Sequence, residues 1–248
     1  MTNPRTSGFI SLAISLFLFL PTWAQQERAS APMPSDTARQ ERQRGVQYVV
    51  DRPRITSKDL KFLQGMSIGF DAAGAVMYAL TAYGQLEGQL HINLKEKYFP
   101  AAEVGIGHSD HTNEDTDLHF RTSSPYIRVG CDYNFNKDLA SKNRIFGGLR
   151  LAYTHCQFDL DGPPLTDPTW GSTVPYSLSN LSSNVMWMEF VFGLEAHIWH
   201  NLHIGWSARY RRRLHQSVPE VGQAWYVPGF GKNDSHNFGA TFNIIFDI

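Results

Sequence analysis

The chain has 248 residues with a formal net charge of −1, and 18% of its residues are charged. That balance gives no basic surface for nucleic acid, and the length suits one domain plus an extension. A mean hydropathy of −0.31 is that of a soluble protein, or of a barrel in which only every second strand residue faces lipid.

Residues 1–24 read as a secretory signal. Arg5 supplies a positive start, Phe9 to Leu20 an apolar run, and Thr22-Trp23-Ala24 a small-residue cleavage site before Gln25. The run is shorter than the roughly 20 residues a membrane helix needs, and no later segment has that length. Any passage across a membrane must therefore be made by strands. No cysteine stands directly after the run, so a lipid anchor is not expected. Residues 25–63 form an N-terminal tail: Gln25 to Arg44, rich in Gln, Arg, Ser, Ala and Pro, reads as disordered and periplasmic. Val46 to Val50 adds a short strand or rests on the rim, and the residues do not choose.

Residues 64–248 carry eight alternating or β-rich segments: Gly65–Gly74, Gln85–Leu94, Phe99–Gly107, Pro125–Phe135, Ile145–Leu160, Val185–Ile198, Leu202–Leu214 and Asn237–Ile248. Helical periodicity is absent. The second segment turns Leu86, Leu90, Ile92 and Leu94 one way and Glu87, Gln89, His91 and Asn93 the other. On the seventh, Ile204, Trp206, Ala208 and Tyr210 oppose His203, Ser207, Arg209 and Arg211. In the last, Phe238, Ala240, Phe242, Ile244, Phe246 and Ile248 share one face and Thr241 and Asn243 the other. Strand side chains alternate, so each segment has one apolar and one polar wall. Tyr98, Tyr133, Trp199 and Tyr210 fall near segment ends, where ring and polar handle suit the headgroup level.

The connections alternate in length. A medium loop follows the first segment, then the short Lys95–Tyr98 turn. His108–Ser124 is long, Asn136–Arg144 shorter, Asp161–Asn184 longest, Trp199–Asn201 tight, and His215–His236 long. Short turns on one rim and long loops on the other predict an all-β fold: an eight-stranded antiparallel transmembrane β-barrel of outer-membrane type, with a periplasmic tail.

Inward positions collect the acids Asp71, Glu87, Glu103, Asp132, Glu189 and Glu195 and the bases Arg128, Arg150, Arg209 and Arg211, with Arg213 at the rim. Eight strands enclose an interior that side chains fill. Opposite charges there should pair into an ion network closing the lumen, because an unpaired buried charge is costly. The tight turn around His200 places Arg211 opposite Glu189, with Arg209 one step away. Cys131 should pair opposite a residue near Gly148, about 25 Å from Cys156 at about 3.3 Å per residue, so both read as free thiols.

Two loop clusters carry weaker signals. His108, Asp110 and His111, with Glu114, Asp115, Asp117 and His119 beyond, are metal-ligating types without the spacing of a defined site; no metal and no cofactor is expected. Trp170, Tyr176, Trp225, Tyr226 and Phe230 either stack a ligand at the rim or fold back to cap the lumen. Ser172, Ser177, His155 and His215 are catalytic types, but no spacing selects a triad, so a non-enzyme is expected.

The chain also resembles a family of signal-bearing outer-membrane β-barrel proteins of Bacteroidota, described only as a domain of unknown function. The resemblance rests on Lys97-Tyr98-Phe99-Pro100 with Glu103-Val104-Gly105, and on Arg128 to Asn134. Asn143-Arg144, Gly147 to Arg150, Glu189 to Gly193, Gly205-Trp206-Ser207 with Arg209-Tyr210, Trp225 to Gly229 and Phe246-Asp247-Ile248 complete it. It implies fold and location and assigns no activity.

The expected protein is a small closed outer-membrane barrel, structural or surface-binding through its long loops. The alternatives are an envelope enzyme acting on lipid or peptide at the rim, or a narrow pore. The partners expected are outer-membrane lipid, the barrel-assembly machinery through the C-terminal strand, and a ligand that sequence does not name.

Overall fold

Alternation becomes geometry as a closed, up-and-down barrel. The computed structural model describes residues 60–137, 142–219 and 222–248; residues 1–24, read above as a signal, and most of residues 25–63 lie outside them. Eight antiparallel strands close in the ring order β1-β10-β7-β6-β5-β4-β3-β2. They are β1 Leu63–Asp71, β2 Tyr83–Leu94, β3 Tyr98–Asn113, β4 Leu118–Asn134, β5 Arg144–Thr166, β6 Thr173–Trp199, β7 Leu202–Gln216 and β10 His236–Asp247. A small hairpin, β8 Tyr226–Val227 with β9 Gly231–Lys232, lies inside the last long connection.

Every predicted facing holds. Val129, Phe190, Phe192, Leu194, Trp206, Phe238 and Phe242 are exposed outward, whereas Glu87, Gln89, His91, Arg128, Asp132, Glu189, Arg209 and Asn243 are buried inward. Arg211 pairs with Glu189 across β6 and β7, as the tight turn requires. Cys131 pairs with Leu149, one residue from the expected position, and both cysteines are free, Cys131 exposed and Cys156 buried.

Three connections differ from the sequence reading. The first strand ends at Asp71 rather than Gly74, and a helix, α1 Ala72–Leu80, replaces the expected loop. Ala, Met and Leu in AAGAVMYAL favour helix, but nine residues are too few to show a periodic stripe. The helix stops at Thr81, whose N–H and hydroxyl both donate to the Met77 carbonyl, at 3.0 and 2.9 Å. It lies tightly on β2: a Cβ on Gly84 would stand 2.3 Å from the Tyr78 backbone.

The expected loops His108–Ser124 and Asp161–Asn184 are in fact mostly strand. β3 and β4 pair up to Asn113 with Leu118, and β5 and β6 up to Thr166 with Thr173. Above the apolar band the outward face turns polar and the inward face mixes Phe120 with Thr122 and Ser124, so the apolar-out, polar-in alternation is lost while the hydrogen-bonded ladder continues.

Candidate functional site: the lumen and its plug

Inward parity sets the site. Charged residues two apart on one strand stack on the same wall, and eight walls bring them within side-chain reach of one another.

The ion pairs form three tiers. Nearest the short turns, Arg144 Nε lies 2.6 Å from Glu195, and its guanidinium sits over the Phe99 and Phe146 rings at 4.1 and 4.8 Å. His203 bridges Glu195 at 3.5 Å and Asp247 at 2.9 Å. In the next tier Arg150 forks onto Asp132 at 2.7 and 2.9 Å, with His91 3.4 Å away on the same carboxylate. Arg150 also reaches Glu103 at 3.1 Å and so joins the central tier.

At the centre, fully buried Glu103 accepts from Arg209 at 2.6 Å and from Arg128 at 3.1 Å. Arg128 also pairs with Glu87, and with Glu189 at 2.9 Å. Glu189 meets Arg209 at 3.4 Å, Arg211 at 3.3 Å and the Trp187 indole N–H at 2.7 Å. The Tyr126 hydroxyl donates to Glu87 at 2.6 Å. No carboxylate of this tier has a single partner, so each charge is spread over a mesh of charge-assisted hydrogen bonds.

The mesh reaches upward to hold a plug. Residues 222–232 fold back into the mouth, where Arg128 Nη2 donates to the Gly229 carbonyl at 2.8 Å and Arg211 Nη1 to the Phe230 carbonyl at 3.1 Å. Val227 and Phe230 bury completely against Tyr126, Val185 and Trp187, an apolar layer directly above the charges. A second apolar layer joins Ala224 and Tyr226 to Phe120, Cys156, Phe158 and Leu160. Burial there raises the Tyr226 phenol above its ordinary pKa. Gly229 sits at φ +80°, and a Cβ there would strike the Tyr126 ring at 2.6 Å, so glycine is required by both conformation and space.

Nine of the ten residues expected in the lumen network meet there. The exception is Asp71: among the described residues no cation lies within ion-pair distance, and its Oδ1 accepts the Phe242 N–H at 3.2 Å. The network also has members that were not expected, namely Arg144, His91, His203, Tyr126 and Trp187. Arg144 was assigned to a turn; its parity with Phe146, Gly148 and Arg150 was the signal for an inward position.

The other candidates separate. His108 packs edge-on against Tyr78 at 4.3 Å and His111 stacks on Trp225 at 4.5 Å, while Asp110 meets only one other candidate, His119 at 3.5 Å, beside Arg121 at 3.4 Å. Among the described residues no group of three or more His, Cys, Asp or Glu is placed to hold a metal ion. Of the loop aromatics, Tyr226 and Phe230 cap the lumen, Trp225 and Tyr176 are half-buried beside that cap, and Trp170 stands 84% exposed at the tip of the β5–β6 hairpin. His155 contacts Asn184 at 2.9 Å and Ser177 donates to Asp161 at 2.6 Å, while His215 lies opposite Met186 in the β6–β7 ladder.

A closed eight-stranded barrel with an uncharged outward band, an ion-paired lumen and an inward plug is the class that these features define. The chain belongs to the family described as a domain of unknown function, DUF6048, whose profile matches residues 7–247. Among solved structures it is similar to Neisserial surface protein A (NspA), at 12% identity and a TM-score of 0.39, over 75% of this chain and 96% of that one. No curated protein matches its sequence.

Proposed function

We propose that the protein is an outer-membrane barrel, closed to ions, that serves a structural or surface-binding role through its extracellular hairpins and plug. The observation that carries this reading is the contrast between its two walls. Outward positions between Tyr98 and Ile106, Ile127 and Tyr133, Ile145 and Tyr153, and Met186 and Ile198 carry no charge, and the same holds from Leu202 to Tyr210 and from Phe238 to Phe246. The inward positions of the same strands carry the buried ion mesh.

The dimensions support a bilayer. From Trp199 to Phe190 the strand runs about 30 Å, or about 23 Å along a barrel axis at a tilt of about 40°. An outer-membrane apolar band is about 25 Å tall between aromatic girdles. Tyr98, Tyr133 and Phe135 cluster at one edge of the band, and Phe190, Tyr210 and Phe238 at the other. The resemblance to Bacteroidota envelope proteins agrees with this location, as does the reading of residues 1–24 as a signal.

Cell fractionation and planar-bilayer recording test the proposal. The expected result is recovery in the outer-membrane fraction and no stable, ion-selective conductance. Steady large openings would make the lumen a pore.

A further inference from the structure

The barrel wall is incomplete at one place. β1 pairs with β10 only from Ser67–Asp247 up to Asp71–Asn243, whereas β10 continues to His236 along β7. Above Asp71 the chain leaves the sheet as α1, which packs on β2. The upper half of β10 therefore has a strand partner on one side only, with α1 rather than a strand on the other. Phe242 N–H points to the open side, where Asp71 Oδ1 accepts it. By strand alternation the N–H and C=O of Phe238 and Ala240 point the same way, and neither residue has a backbone partner there among the described residues.

A cavity of about 460 Å³ occupies this gap, a size suited to a small ligand. Its outer lip is apolar, with Met77, Phe238 and Ala240 facing the lipid side. Its inner end is cationic, with Arg211 and Lys232 on the lining. The Arg211 guanidinium lies directly over Gly239, where a Cβ would stand 3.0 Å from Nη2. Arg211 is 6% exposed; its Nε lies 3.3 Å from Glu189 without a hydrogen bond and Nη1 holds the Phe230 carbonyl, but Nη2 has no hydrogen-bond partner among the described residues. The one acid on the lining, Asp71, is already engaged by the Phe242 amide.

Unpaired backbone groups at the boundary of the apolar band, and a buried guanidinium with a free Nη2 behind them, call for a polar partner, because leaving such groups unsatisfied away from water is costly. An apolar lip cannot face water over the same span. We propose that the α1–β10 cleft is a lateral binding site for a membrane-resident anionic amphiphile. The acyl chain lies along Met77 and Phe238, its linkage oxygens accept from the free β10 edge, and its phosphate meets Arg211 and Lys232. The proposal rests on the membrane reading above.

The test uses the full barrel in phosphatidylcholine nanodiscs containing a trace of phosphatidylglycerol with a photoreactive acyl chain. Cross-links should concentrate on Met77, Phe238 and Ala240, and unlabelled phosphatidylglycerol should compete about tenfold better than phosphatidylcholine. Ala240→Trp should cut labelling about tenfold by filling the cleft, whereas Ala102→Trp, on the outward face of β3, should not. Arg211→Gln, or Lys232→Gln if the former does not fold, should remove the preference for the anionic lipid. Labelling spread evenly over all outward faces, equal competition by the two lipids, or displacement by inorganic phosphate at matched concentration would each overturn the site. Failure of the protein to enter nanodiscs would instead count against the membrane reading, so the two failures are distinguishable.

Discussion

Arg128 Nη2 donates to the carbonyl oxygen of Gly229 at 2.8 Å, joining the middle of β4 to a loop that follows β7. The same guanidinium holds Glu87, Glu103 and Glu189. Arg128 thus links the ion mesh to the plug, so lumen charge and loop position are one structural unit.

Glu103 should be the most sensitive carboxylate. Glu103→Ala leaves Arg128, Arg150 and Arg209 short of a shared partner in a dry interior and should destabilise the barrel by about 3–5 kcal/mol. Arg211→Ala should cost less, because Glu189 keeps Arg128 and Arg209. Tyr210→Leu, on the outward face, should cost only about 0.5–1.5 kcal/mol for its contacts with Phe190 and Phe238. Urea midpoints in lipid or detergent rank the three; Tyr210→Leu as the most damaging would contradict the facing of β7.

Arg144→Lys keeps the charge near Glu195 but loses the guanidinium's contacts over the Phe99 and Phe146 rings. A loss of about 1–2 kcal/mol is expected, since a compact, strongly hydrated ammonium does not replace the delocalised guanidinium over two rings. A lysine variant as stable as the parent would mean that charge alone matters at this tier.

Gly229→Ala should lift the plug, because its Cβ collides with the Tyr126 ring and φ is +80°. The readout is Cys156, buried against Ala224 and Tyr226. In a Cys131→Ser background, maleimide labelling of Cys156 should rise by about tenfold or more in Gly229→Ala. Unchanged protection would show that the loop stays seated without the Gly229 geometry.

Phe192→Lys places an ammonium in the middle of the outward band and should cost about 2–4 kcal/mol in a lipid bilayer. Thr112→Lys, on the β3–β4 hairpin beyond the band, should be nearly neutral. Equal tolerance of the two would argue against immersion of the band.

The wall residues were legible because a strand alternates with period two, and a barrel converts that parity directly into outside and inside. Phe242 and Thr241, or Tyr210 and Arg211, needed no tertiary information to be assigned. The Glu189–Arg211 pairing followed as well, since a tight turn fixes the register of a hairpin.

Partners across the lumen were not legible. Arg209 finds its shortest contact in Glu103, on a strand that is not its neighbour, and only closure of the ring brings the two within 2.6 Å. The plug depended likewise on tertiary structure: Tyr226 and Phe230 suited an exposed ligand platform as well as a cap, until the carbonyls of Gly229 and Phe230 met Arg128 and Arg211. The early end of β1 is the third such feature. Its cause lies in α1 packing on β2, a contact between segments that alternation does not describe. By itself, then, the sequence determined which wall each strand residue faces, because that depends on local parity. Tertiary structure alone decided which charges meet, what seals the mouth and where the wall opens, because those depend on ring closure and on loops whose polar residues follow no period.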